Sequence, residues 1–343
     1  MRKLNLDILR IVACFLVIVN HTNSDVFLSL TPSFTWFASL TYFFLCKMAV
    51  PLFVMISGAL LLKKEEEYKT FFMKRIFKVG IVLLLFSFVY YVIDVFRGNQ
   101  IFSLVGFGAS IYKNAMTNAY WYLYLYLGIL LMLPILRKLV VNLTTKDYIY
   151  YFSISTLILC ILPLLEHYFS FGPVQRHFAL PIFSVYITYF LLGHFIENVL
   201  DEKYFNKKVA VCLLALGIVV IASSTLLSYY EYSNVSTSNY LYLDNATLIT
   251  TALPTAILFY LCKYWFGGKN GKFANVVSKI AVHTFGIYLV SDFFITELLP
   301  LKGYLKEVMQ PLVGVLIFEV VIFILGFITA WIMKKIPLLK KIV

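Results

Sequence analysis

Charge is what this sequence has least of. Only 13% of its 343 residues are Asp, Glu, Lys or Arg, about half the share usual in a soluble domain. With 61% apolar residues and a mean hydropathy of +0.86, that scarcity excludes a soluble globular protein and leaves no length for a separate soluble domain, so residues 1–343 read as one membrane-embedded unit. Cysteine is sparse as well. Cys14, Cys46, Cys160 and Cys212 sit inside apolar runs and Cys262 near the end of one, where a thiol behaves as a small hydrophobe, so a disulfide scaffold is not expected. Neither HExxH nor paired CxxC occurs, so no metal is expected. A cleavable leader is not expected either: the first apolar stretch carries Asp7 and Arg10 at its start and lacks a small-residue cleavage site before Asp25, which reads as a retained helix. No internal repeat stands out, and with it goes the inverted-repeat signature of many transporters.

What the chain does have is long apolar runs. A hydrocarbon layer about 30 Å thick takes roughly 20 apolar residues of helix. Runs of that kind lie at about 4–24, 36–62, 76–96, 119–138, 148–166, 178–199, 208–228, 246–265, 276–299 and 311–334. They are continuously apolar rather than alternating, which predicts helices and not barrel strands. The expected fold is therefore all-α, polytopic, with about ten transmembrane helices. The piece at 101–116 is too interrupted to span and is expected at the interface or as a re-entrant segment. The stretch from Tyr229 to Asn245, rich in Ser, Asn and Tyr, is expected as an exposed loop.

The net charge of +12 would suggest nucleic acid in a soluble protein, but in a membrane protein basic residues first report topology. With both termini cytoplasmic, 22 of the 29 Lys and Arg fall on inner segments and 5 on outer ones. That is the positive-inside bias expected for ten helices, and no nucleic-acid partner is expected. Arg10 and Lys47 complete the set, and both fall within helices.

An ionisable group inside the membrane is costly and is read as functional by default. Arg10 and His21 are eleven residues apart, which on a helix brings them within about 20° of one another around the axis and roughly 16 Å apart along it. Asp7 precedes Arg10 by three residues and is placed to hold its guanidinium. A guanidinium grips phosphate bidentately; an imidazole titrates near neutrality and takes a proton from a hydroxyl. The competing reading is plain: Arg10 snorkels to headgroups and His21 bonds across to another helix. His194 and His283 fall near expected inner helix ends, where interfacial hydrogen bonding is the simpler account. Glu166, His167, Arg176 and His177 lie around an outer loop, where they are candidates to touch an acceptor. Lys47 needs a partner that the sequence does not name.

Leu6 to Ala13 followed by His21 resembles the first-helix signature of the membrane-bound acyltransferase 3 family, an arginine, ten residues and a histidine. Pro51 to Leu61 resembles its apolar helix ending in Ser-Gly, and Lys74 to Lys78 its basic cluster. Trp121-Tyr122-Leu123-Tyr124, Tyr189 to Gly193 and Thr284 to Leu289 resemble three further helices of the family, in the same order. The chain departs from the family pattern at Lys78, where a second arginine is common, and at Tyr126, where a large branch carries glutamate. The hydrolase-like domain appended to some members is not expected here.

The resemblance implies an integral O-acyltransferase of the bacterial cytoplasmic membrane. It would take an acetyl or other short acyl group from cytoplasmic acyl-CoA to a hydroxyl of an envelope polysaccharide or lipid-linked glycan, with no permanently bound cofactor. His21 would be the catalytic base, with a transient acyl group on His21 or a tyrosine as the competing route. Arg10, Lys74, Arg75, Lys78, Ser57 and Gly58 would bind the donor, with Asp7, Trp121 and Tyr122 in support. Two other classes remain open at this point. A transporter or flippase of a lipid-linked glycan predicts broken helices at mid-membrane, and a non-catalytic membrane binding module predicts that the fold tolerates Ala at His21.

Overall fold

The structure is a computed structural model that describes residues 2–169, 184–234, 241–245 and 248–342. Among them every regular element is helical. α1 (Leu4–Asn20) and α2 (Ser24–Leu28) make the first span, and α3 (Phe34–Cys46) with α4 (Ala49–Leu61) the second. α5 (Tyr68–Phe71), a wide π turn over Phe72–Phe77 and α6 (Lys78–Phe96) form the third. The short α7 (Leu104–Lys113) follows, then α8 (Trp121–Val141), and α9 (Thr145–Thr156) continued through a π turn, Leu157–Ile161, into α10 (Leu162–Phe169). α11 (Val185–His194) ends in a π turn, Phe195–Val199. Next come α12 (Lys207–Asn234), a 3-10 turn at Tyr242–Asp244, α13 (Ile249–Phe266), α14 (Lys272–Ala281), α15 (Thr284–Glu297), α16 (Leu299–Val308), α17 (Pro311–Met333) and α18 (Pro337–Ile342).

Eight of these stretches are long and apolar enough to cross a membrane, nine if α14 and α15, bent by 50°, count as one. The chain is a polytopic membrane protein. The expected run at 178–199 is described only from residue 184, as α11 and its π turn. α7 is half the length of a crossing and buries none of its residues, in keeping with an interfacial piece. The stretch from Tyr229 departs from expectation, because α12 continues to Asn234 instead of ending in a loop. The cause is tertiary: Glu231 is buried, accepting from the Tyr168 hydroxyl at 2.5 Å, and Tyr229 and Tyr232 pack on Trp36.

α1 is the centre of the bundle, packed against α3, α4, α13, α14, α15 and α17. The span containing α1 is accordingly 61% buried, against 22% for α8 and for α12 at the periphery. α4 and α11 meet backbone to backbone. A Cβ on Gly58 would stand 1.8 Å from the Phe190 carbonyl oxygen, and one on Gly193 2.0 Å from that of Met55. Small residues permit such approach, and dispersion rather than the hydrophobic effect then holds the pair inside lipid.

Candidate functional site

Two helix breaks bring the polar groups of the membrane interior together. α1 stops at His21, which caps it through its own backbone N–H, and the chain turns through Thr22 and Asn23 before α2. The second span breaks between α3 and α4 at Lys47 and Met48. Irregular backbone at this depth survives only where protein satisfies it. The Thr22 hydroxyl donates to the Ile18 carbonyl at 2.9 Å, the Asn23 amide to the Ser39 carbonyl at 2.8 Å and the Ser39 hydroxyl to Asn23 Oδ1 at 3.2 Å, while Asn20 Oδ1 faces the Cys46 thiol. His21 alone in this turn has no side-chain hydrogen bond among the described residues. Its ring faces a cavity of about 180 Å³, whose wall includes Lys47, Trp121, Tyr122, Asp244 and Tyr288. Asp292 on α15 and Lys47 are the charged groups whose fields reach the imidazole.

The partner of Lys47, invisible in the sequence, is Asp244 in the 3-10 turn before α13, at 3.3 Å; the ammonium also lies 3.9 Å from the centre of the Phe43 ring. A further group that sequence reasoning missed is Glu319 on α17, fully buried, accepting from the Thr22 hydroxyl at 2.7 Å and from the Tyr42 hydroxyl at 2.8 Å. It ties the residue after His21 to α3 and α17, so Glu319 is a positioning residue. Replacing it by leucine strands the Tyr42 hydroxyl, at a cost of about 1–3 kcal/mol, and unties Thr22 from α17, its hydroxyl falling back on the Ile18 carbonyl. We expect Glu319→Leu to lower kcat more than tenfold with donor KM unchanged, and Glu319→Gln, whose amide oxygen still accepts, to recover most of the rate. Equal rates in both variants and the wild type would remove this role.

Arg10 lies at the other end of α1. Its Nη1 is 3.2 Å from Asp7 Oδ1, and Asp7 also takes the Ser278 hydroxyl at 2.6 Å and Arg2 at 3.2 Å. Arg10 lines two adjoining cavities. One, about 370 Å³, includes Arg2, Phe53, Ser57, Tyr122, Tyr126, Tyr288 and Lys334; the other, about 300 Å³, includes Lys3, Ser57, Lys64, Arg75 and Tyr126. Positive charge is concentrated enough here to perturb itself. Burial holds the Lys334 ammonium below the usual lysine range, and Lys78 and Arg2 nearby add to that. Such a cluster favours an anion.

The Arg10 cavity and the His21 cavity share Phe53, Tyr122 and Tyr288. Three aromatic side chains thus line both the basic vestibule and the cavity that holds the imidazole, with the Phe53 and Tyr122 rings 6.0 Å apart and those of Tyr122 and Tyr288 5.9 Å apart.

The other expected site residues fall as follows. Arg75 is aimed into the vestibule from the π turn and held by Glu66 at 2.8 Å. Lys78 contributes charge beside Arg75 and Lys334. Lys74 is exposed and lines no described cavity. Ser57 lines both inner cavities, its hydroxyl donating to Phe53 O at 2.9 Å. Gly58, turned about 100° from Ser57 around α4, packs against the Phe190 backbone and lines neither. Trp121 and Tyr122 line the His21 cavity. His167 lies 3.2 Å from Glu231 and stacks on Tyr242 with ring centres 3.7 Å apart, and Glu166 acts on the same Tyr242. Neither lines the His21 cavity; they adjoin it through the turn that carries Asp244. Arg176 and His177 lie outside the described residues. His194 approaches Asn198 and His283 the Lys279 carbonyl.

This architecture defines a class: a multi-pass helical membrane protein whose interior sets a basic vestibule beside a cavity lined by a half-buried imidazole. The family model described as an acyltransferase domain matches residues 3–335, and the chain belongs to that family, acyltransferase 3. It is an acyltransferase. No curated protein and no solved structure matches the chain.

Proposed function

We propose that the protein carries an acetyl or other short acyl group from acyl-CoA, bound at the Arg10 end, to a hydroxyl of an envelope polysaccharide or lipid-linked glycan at the His21 end. In this reading the chain crosses the cytoplasmic membrane ten times with both termini inside. The observation that carries it is the pair of cavities meeting at Phe53, Tyr122 and Tyr288, one holding Arg10 and the other His21.

The donor's phosphates pair with Arg10 and Arg75, and its pantetheine arm follows α1 past Ser57. Neutral His21 takes the proton of the acceptor hydroxyl. The oxygen attacks the thioester carbonyl, a C–O bond forms, the C–S bond breaks, and the CoA thiolate receives the proton back from the imidazolium. The Asp292 carboxylate stabilises that imidazolium through its field, as a triad carboxylate does, and Lys47 supplies positive charge to the same cavity. A cavity of about 180 Å³ suits a short acyl group. No second nucleophile is needed, which favours direct transfer over an acyl-enzyme.

The helix breaks at His21 and Lys47 are a feature also expected of a transporter. Here they deliver these two side chains to one cavity. The test is the purified chain in proteoliposomes, given acetyl-labelled acetyl-CoA on the Arg10 side and an envelope glycan. We expect base-labile label on the glycan. Glycan crossing the bilayer unlabelled would favour transport and overturn the reading.

A further inference from the structure

At the Arg10 end lies another cavity, larger than those along α1, at about 510 Å³. Its walls come from the connection between α4 and α5, the last turn of α8 and the end of α11, and include Lys63, Lys64, Tyr68, Phe71, Arg137 and Lys138. The vestibule and this cavity share Lys64. Between them stands Glu66, with Oε1 on Arg75 at 2.8 Å and Oε2 on Arg137 at 2.9 Å; the two guanidiniums hold its carboxyl down, to about 2. Arg137 is fixed further by donating from Nε to the Leu61 carbonyl at 3.0 Å, and its guanidinium lies over the buried Phe71 ring. The floor is therefore rigid and its internal charges are already matched.

The rim is not. Lys63, Lys64 and Lys138 are exposed and form no ion pair among the described residues, and Tyr68 exposes its ring above the apolar floor. Unmatched ammonium groups around an aromatic and apolar surface fit a phosphorylated nucleoside: phosphate oxygens meet point charges and the base finds a ring to stack on. The direction of the donor supplies the rest. With its pyrophosphate between Arg10 and Arg75 and its thioester directed along α1 towards His21, the nucleoside end must point away from the membrane interior, where this cavity adjoins.

We propose that this cavity binds the 3′-phosphoadenosine end of coenzyme A, with the base against Tyr68 and the 3′-phosphate on Lys63 and Lys138. The assignment rests on the acyl-CoA reading above. Both lysines are exposed, so their replacement leaves the fold intact.

The test uses the full chain in nanodiscs of uncharged lipid and compares wild type with Lys63→Ala/Lys138→Ala. Equilibrium binding is measured for CoA, 3′-dephospho-CoA and pantetheine 4′-phosphate. The double variant is expected to lose tenfold or more in affinity for CoA, little for dephospho-CoA and nothing for pantetheine 4′-phosphate, with KM for acetyl-CoA rising in parallel and kcat kept. Unchanged CoA binding, or an equal loss for all three ligands, overturns the subsite while leaving the donor reading standing. An effect seen only when anionic lipid is added assigns the pocket to a lipid headgroup and also overturns it. Failure of the wild type to bind CoA at all would bring down both the subsite and the donor reading.

Discussion

Replacing His21 by alanine is expected to lower acetyl transfer by about 10²- to 10⁴-fold, the range that a positioned general base contributes, while the protein folds and binds donor as before. The expectation of an intact fold is specific to this turn. Asn20, Thr22 and Asn23 hold the break through their own side chains, and Glu319 grips Thr22 from α17, whereas the His21 ring makes no hydrogen bond among the described residues. Removing it widens a cavity and breaks no bond. Donor affinity should persist because the cationic groups lie around Arg10, about three helical turns away. Glutamine at the same place keeps polar bulk without accepting a proton at neutral pH, and should lose as much as alanine. The measurement is labelled acetyl transfer from acetyl-CoA to glycan at matched protein levels, with thermal melting and CoA binding as controls. Wild-type rates in either variant would take His21 out of the chemistry, and a melting loss in both would make its role structural.

How much of this was legible beforehand depended on whether a feature lies within one helix or between several. The Arg10 to His21 spacing and the Asp7 contact are properties of one continuous helix, so 3.6-residue geometry predicts them, and the observed α1 carries both. Lys47 and Asp244 are far apart in sequence and meet only through packing. The same holds for Glu66 and Arg137. Asp292 and Glu319 are a different case. Each is an acidic residue inside an apolar run, and the rule that singled out Arg10 applies to them equally; the signal was present and pointed to the His21 side of the bundle. The sequence also leaves open which face of a uniformly apolar helix turns inward, because periodicity needs contrast. Ser57 and Gly58, adjacent and both assigned to the donor by resemblance, show the consequence: Ser57 lines the passage and Gly58 packs α4 on α11.

That division of labour on α4 leads to the second large effect, in which Gly58→Ala should fail to accumulate as a stable protein. The new carbon would stand 1.8 Å from the Phe190 carbonyl oxygen and 2.7 Å from its carbon, where ordinary contact begins at 3.4 Å. Both neighbours are backbone, so no rotamer change relieves the clash and α4 must part from α11. Overpacking of this kind costs about 1–3 kcal/mol when side chains can adjust and more when they cannot. The separation also forfeits the close approach of Gly193 to Met55, a contact that lipid does not replace. Because α4 also presents Phe53 and Ser57 to the passage, any fraction that does fold should lose transfer as well. Gly128→Ala on α8 is the matched control, since nothing lies within 4 Å of its added carbon, and helix propensity alone makes it neutral or slightly stabilising. Detergent-solubilised yield, a monodisperse elution peak and the melting temperature read the difference. Equal stability of the two variants would mean that α4 and α11 are not in backbone contact, and the wall that carries Phe53 and Ser57 would then have to stand elsewhere.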